Sequence, residues 1–206
     1  NRLMFLMFYL ASFCACCLTG LIDPFITLAF GEGLLLHRVT VFICIFNLYM
    51  STVDIPIWNF VAAAGLFRYD KYISLIGSGM NLLISFLLGK RIGMAGILLG
   101  TSATYVIQFI LKVILFYRWF LKMHFYQILL KNLLFFAVTV IECIVTQELA
   151  GRIGGIVSNP YLAFMAAAFV SALLPLAANT LLFAKTDAFR YMFSLGRSVL
   201  KKRTVS

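Results

Sequence analysis

Residues 3–22 read LMFLMFYLASFCACCLTGLI, a run of 20 residues without a charged side chain. About 20 apolar residues in a helix cross the roughly 30 Å hydrocarbon core of a bilayer. The rest of the chain has the same character, because 63% of its 206 residues are hydrophobic and only 12% are charged. Soluble domains carry about 25% charged residues. The stretch therefore predicts one transmembrane helix of an all-α integral membrane protein.

Five further apolar blocks of similar length follow the first. We divide the chain into a bundle of six transmembrane helices, residues 1–184, and a basic amphipathic cytoplasmic tail, residues 185–206. The first helix is expected to end at residue 22, because Asp23-Pro24 and the later Gly31 are helix-ending signals. The six predicted spans are residues 3–22, 39–64, 72–89, 92–117, 132–150 and 161–184.

Lysine and arginine divide unevenly between the two sides that these spans define. Twelve lie on the side that holds both chain ends, and four lie on the other side. Cytoplasmic loops carry the positive excess in membrane proteins. Both ends are therefore predicted to be cytoplasmic. The basic tail either lies along the anionic inner leaflet or is a frayed basic end that serves only the positive-inside rule. The twelve are Arg2, Arg68, Lys71, Arg118, Lys122, Lys131, Lys185, Arg190, Arg197, Lys201, Lys202 and Arg203, and the four are Arg38, Lys90, Arg91 and Arg152.

The net charge of +10 does not indicate a nucleic-acid partner, because the basic residues cluster between apolar blocks as topology signals do. The five cysteines all lie inside apolar blocks, without histidine at metal-ligand spacing. We therefore expect no metal and no cofactor. His37 and His124 lie near loops, and no paired carboxylates or nucleophile triad accompany them, so we do not expect an enzyme.

Polar residues recur at helical spacing in four of the spans, which places each set along one helix face. Such stripes suggest a hydrated cavity between helices, and the alternative is that they hydrogen-bond and pack the helices together. We assign the charged members Asp54, Lys112 and Glu142 to a cavity. A charged side chain within the membrane costs free energy, so such residues seldom occur without a functional role. The stripes are Asn47, Ser51, Asp54 and Trp58; Ser74, Ser78, Asn81 and Ser85; Thr101, Thr104, Gln108 and Lys112; and Thr139, Glu142 and Thr146.

Three segments carry a family resemblance: residues 62–72, AAAGLFRYDKY; residues 81–85, NLLIS; and residues 93–101, GMAGILLGT. Their order resembles the bacterial polysaccharide repeat-unit flippases of the multidrug, oligosaccharidyl-lipid and polysaccharide exporter superfamily. The segment DPFITL at residues 23–28 is similar to the external end of a span in that family.

The resemblance implies one lobe of a two-lobe flippase in the bacterial inner membrane, with the N-terminal half of the same transporter as its partner. The substrate it implies is an undecaprenyl-diphosphate-linked oligosaccharide. On chemical grounds we assign Lys112 to the diphosphate and Asp54 and Glu142 to ion coupling. The remaining candidates, assigned to sugar hydroxyls, are Asn47, Asn81 and Gln108.

Three alternatives remain open. A cation-coupled multidrug exporter of the same superfamily would require an apolar, aromatic cavity with one or two carboxylates. A membrane enzyme such as a polysaccharide polymerase or acyltransferase would need a sizeable external loop or an intramembrane histidine. The third alternative is a helical scaffold without transport activity.

The predicted orientation has a direct test in intact cells. A cysteine introduced by Glu32→Cys should react with a membrane-impermeant thiol reagent, because residues 31–38 are predicted to be external. A cysteine introduced by Lys202→Cys should not react until the membrane is made permeable. The opposite labelling pattern would show that the orientation is inverted.

Overall fold

The computed structural model describes residues 2–31, 33, 35, 37–157, 159–187 and 189–191. Within these ranges the regular structure is entirely helical, and six helices are long and apolar enough to cross a membrane. The predicted all-α membrane bundle is thus confirmed. Its helices are α1 (Arg2–Phe30), α2 (Arg38–Ala63), α3 (Phe67–Ile92), α4 (Met94–Val113), α5 (Phe125–Ile156) and α6 (Pro160–Phe183).

Helix α1 is the centre of the bundle, because α2, α5 and α6 all pack against it. Helix α2 joins this group to α4, and α3 lies at the edge, packed almost entirely on α4. Near the start of α1, Phe8 stacks on Phe135 of α5 with ring centroids 4.2 Å apart. Phe183 at the end of α6 meets Phe8 edge-on at 5.6 Å. These aromatic contacts tie three helices together at one end of the bundle.

The prediction that the first helix ends at residue 22 is wrong. Helix α1 continues through Pro24 to Phe30. Proline removes only the backbone bond to the carbonyl four residues earlier, which here belongs to Gly20. The helix ends instead at Gly31, whose φ of 86° is left-handed and whose N–H donates to the Thr27 carbonyl at 3.1 Å. Glycine commonly ends a helix in this conformation.

The helices also run past several other predicted limits. Helix α5 begins at Phe125 and ends at Ile156, whereas the predicted span covers only residues 132–150. The prediction stopped at charged residues, whereas a helix continues through the polar interface as long as its backbone bonds are satisfied. Helix α4 passes into a π-helix, Ile114–Phe120. Most of the predicted tail, residues 192–206, lies outside the described residues.

Helices α3 and α4 approach closely because glycines line their contact. A side chain at Gly96 would collide with the backbone carbonyl of Leu88, and one at Gly100 would collide with Ser85. The Ser85 hydroxyl donates to the carbonyl of Ile97 at 3.1 Å across the same contact. Small residues allow such approach between membrane helices, where dispersion and hydrogen bonds supply the association energy.

We predict that Gly96→Ala weakens this contact, because the added methyl meets backbone that has no room to move. Overpacking of this kind typically costs about 1–3 kcal/mol. The matched control is Gly79→Ala on α3, where an added methyl meets open space. Alanine there should be neutral or slightly stabilising. Equal free energies of unfolding for the two variants, measured in detergent micelles, would contradict the close contact.

Candidate functional site

Asp54 and Lys112 form an ion pair between α2 and α4. The Lys112 Nζ lies 2.7 Å from the Asp54 Oδ2, and the two side chains are 5% and 19% exposed respectively. Lys112 lies on α4 two residues before the helix passes into the π-helix. The Asp54 Oδ1 is buried and has no hydrogen-bond partner among the described residues. The two charges therefore neutralise each other, but the Asp54 Oδ1 remains without a hydrogen bond from the described residues.

Each of the three predicted sugar-binding amides lies against another group of the protein. Asn47 donates to the Leu98 carbonyl at 3.1 Å and accepts from the Ser102 hydroxyl at 2.7 Å, which joins α2 to α4. Asn81 accepts from Ser85 on its own helix at 2.9 Å. The remaining amide, that of Gln108, lies directly over Gly77 of α3. Asn47 thus links two helices in this structure, whereas the hydrogen bond of Asn81 stays within its own helix.

A second buried polar contact joins α1, α5 and α6. We call Ser12, Glu142 and Asn179 the Glu142 cluster. The Ser12 hydroxyl donates to the Glu142 Oε2, and the Asn179 amide donates to the same oxygen at 3.3 Å and to Ser12 at 3.2 Å. Glu142 is only 4% exposed, and Ser12 and Asn179 are fully enclosed. Each of the three helices thus contributes one polar group.

The Glu142 cluster differs from the ion pair in its charge balance. Among the described residues no lysine, arginine or histidine pairs with Glu142. The Glu142 Oε1 and the Asn179 Oδ1 are both buried without a hydrogen-bond partner. A buried carboxylate without a cation is costly, so this group suits the carriage of a proton or a small cation.

The structure divides the three charged candidates between two contacts. Asp54 and Lys112 meet at α2–α4, whereas Glu142 belongs to α1, α5 and α6. The sequence interpretation placed all three on one hydrated cavity and missed the partners Ser12 and Asn179. A signal for Ser12 was present, since Ser12, Cys16, Thr19 and Asp23 recur at helical spacing on α1.

A cavity of about 410 Å³ opens at the end of the bundle where α1 and α5 end and α2 begins. We call it the end cavity. Five polar side chains line it, together with small residues that leave room between the helices. The polar five are Thr19, Asp23, Thr27, Arg38 and Gln147. A groove of about 560 Å³ adjoins it along α6, sharing Pro24, Thr27, Ala150 and Gly154.

A third cavity, of about 240 Å³, is apolar and lies between α1, α2 and α5. Four aromatic rings line it, those of Phe42, Phe46, Tyr49 and Phe136. Thr19 lines both this cavity and the end cavity. None of the six predicted site residues lines any of these three spaces.

No protein-family model, curated protein sequence or solved structure matches the chain.

We predict that Asp54→Asn or Lys112→Gln alone destabilises the bundle. Each change leaves an uncompensated buried partner, which typically costs about 3–5 kcal/mol. The double variant should recover most of the lost stability, because it removes both charges. The control is the exposed pair of Glu148 and Arg152, whose side chains are 68% and 71% exposed.

Neutralising either member of the exposed pair should change stability by less than about 1 kcal/mol. Thermal unfolding of the purified variants in detergent measures both pairs. Additive losses in the Asp54→Asn/Lys112→Gln double variant would show that the two buried charges do not interact.

Proposed function

We propose that this chain is one lobe of a flippase that moves an undecaprenyl-diphosphate-linked oligosaccharide from the inner to the outer leaflet. It serves cell-surface polysaccharide assembly in the bacterial inner membrane, with the N-terminal half of the same transporter as the second lobe. A sugar and diphosphate head group cannot cross hydrocarbon unaided. Two helical bundles that rock about a shared polar path provide such a route.

The observation that carries this proposal is the Glu142 cluster. It is a carboxyl without a basic partner among the described residues, held by hydrogen bonds from two other helices. Loading or unloading a proton at Glu142 changes the charge that these hydrogen bonds must stabilise. The preferred packing of α1, α5 and α6 then differs between the two states, which is how an ion gradient biases a conformational equilibrium.

The ion pair between Asp54 and Lys112 supports a role in handling the diphosphate. Lys112 has Asp54 as its partner in this conformation, so the ammonium is not available to a phosphate. A diphosphate entering between α2 and α4 replaces the aspartate as the partner of the lysine. Exchange of one anion for another keeps the buried cation compensated, and the released Asp54 carboxylate must then take up a proton or a cation to avoid an uncompensated buried charge.

A cation-coupled multidrug exporter is the second candidate, and the apolar cavity favours it. Aromatic rings such as those of Phe46 and Phe136 suit a lipophilic cation, which they bind through dispersion and cation–π attraction. The cavity of about 240 Å³ is small, below the roughly 300–1,000 Å³ of most ligand sites. We therefore place the oligosaccharide flippase first.

We predict that Glu142→Gln preserves the fold but abolishes coupled translocation. Glutamine keeps an oxygen that accepts from Ser12 and Asn179, yet it cannot exchange a proton. Protein abundance and surface polysaccharide are measured together in a flippase-deficient strain that also supplies the N-terminal half. Glu148→Gln, an exposed carboxylate on the same helix, is the control and should leave both readouts unchanged.

Wild-type translocation by Glu142→Gln at normal abundance would reject the coupling role. Export that persists without the N-terminal half would reject the two-lobe arrangement. Restoration of drug resistance in an efflux-deficient strain, without polysaccharide export, would favour the second candidate.

A further inference from the structure

The end cavity combines hydrogen-bond donors and acceptors of several kinds. Arg38 offers guanidinium donors, Asp23 offers carboxylate acceptors, and Gln147 offers both. The hydroxyls of Thr19 and Thr27 add groups that either donate or accept. None of the ion pairs among the described residues includes Arg38 or Asp23. Both charged groups therefore remain available to a ligand.

This mixture matches a saccharide better than a simple anion or an apolar molecule. Each sugar hydroxyl both donates and accepts, and so it needs partners of both kinds close together. A site for an isolated phosphate would favour several cationic groups, whereas this cavity holds one cation and one anion. The adjoining groove contributes Tyr161 and Phe164, whose aromatic faces suit the apolar face of a sugar ring.

The walls and the volume also fit a bulky, hydroxyl-rich group. Gly151 and Gly154 of α5 line the end cavity, and an added side-chain carbon at either position would meet open space. The volume of about 410 Å³ falls within the range of known ligand pockets. The groove beside it, of about 560 Å³, gives room for a neighbouring sugar unit.

The end cavity also connects to the Glu142 cluster. Gly20 lines the cavity, and a methyl at Gly20 would collide with the Ser171 hydroxyl of α6 and press on Thr146 of α5 at 3.1 Å. Thr146 in turn donates to the backbone carbonyl of Glu142 at 2.7 Å. The cavity wall is thus in direct contact with the helices that hold the proposed coupling carboxyl.

We propose that the end cavity binds a sugar unit of the oligosaccharide head group through Asp23, Arg38 and Gln147. This inference rests on the proposed function and names the part of the chain that recognises the saccharide. Asp23 accepts hydrogen bonds from sugar hydroxyls, Arg38 donates to hydroxyl or ring oxygens, and Gln147 bridges between them. The lipid tail takes no part in this contact.

The test measures protection of a reporter cysteine in the full chain, purified in lipid nanodiscs. Gly151→Cys places the thiol on the cavity wall without removing a polar group. Gly155→Cys is the matched control, since it is one turn further along α5, has equally open space and does not line the cavity. Site-resolved mass spectrometry separates labelling at these positions from labelling of the native cysteines.

The probe is the oligosaccharide released by mild acid from the polyprenyl-diphosphate-linked lipids of the producing cells. It should slow maleimide labelling at position 151 at least fivefold and leave labelling at position 155 unchanged. Asp23→Asn and Arg38→Gln should each raise the half-protecting concentration about tenfold, as expected for the loss of one charge-assisted hydrogen bond. Arg152→Gln, which is exposed and bonded to Glu148, should not change it.

Absence of protection up to millimolar probe would overturn the inference. Protection by glycerophosphoethanolamine but not by the oligosaccharide would also overturn it, because the site would then belong to a phospholipid head group. Translocation by the same variants, measured in the flippase-deficient strain that also supplies the N-terminal half, separates this inference from the proposed function. Translocation without protection rejects the saccharide site alone, and protection without translocation keeps the site but rejects the flippase.

Discussion

Polar side chains surrounded by hydrocarbon must find their hydrogen-bond partners within the protein, and this requirement organises the bundle. Such partnerships occur among α1, α5 and α6 and between α2 and α4. Glu142 draws α1, α5 and α6 together, and Asp54 joins α2 to α4 through Lys112. Helix α3 has no comparable link to the centre and approaches α4 through glycines. It accordingly lies at the edge of the bundle, where only 6% of its apolar membrane-spanning stretch is buried inside the protein.

The two buried charge sites differ in what they stabilise. Asp54 and Lys112 compensate each other, and desolvation offsets much of their attraction, so the pair fixes which helices meet more than it adds to stability. Glu142 has hydrogen-bond donors but no cation among the described residues. Its contact is therefore held by hydrogen bonds alone, and the charge that they stabilise changes when the carboxyl gains or loses a proton. Under the proposed function, this difference suits the ion pair to packing and diphosphate exchange and Glu142 to ion coupling.

The sequence predicts the helical membrane class and the inward phase of Asp54, Lys112 and Glu142, because both follow from composition and helical spacing. It does not predict that Glu142 meets Ser12 and Asn179, since these residues lie 130 and 37 positions away in the chain. The spacing of residues along one helix carries no information about which faces of different helices pack together. The end of α1 differs from the prediction for a related reason, because the sequence does not reveal that Pro24 is accommodated within the helix.

Helix α1 links the proposed binding and coupling sites mechanically. Gly20 contributes to the end cavity and touches Ser171 so closely that not even a methyl group fits between them. Ser12, two turns earlier on α1, belongs to the Glu142 cluster. A rigid helix cannot shift at one of these points without shifting at the other, since packed interiors do not deform continuously. A change of charge at Glu142 that alters the packing of α1 on α6 must therefore also alter the wall of the end cavity. By the same linkage, a ligand that fixes this wall must bias the charge state of Glu142.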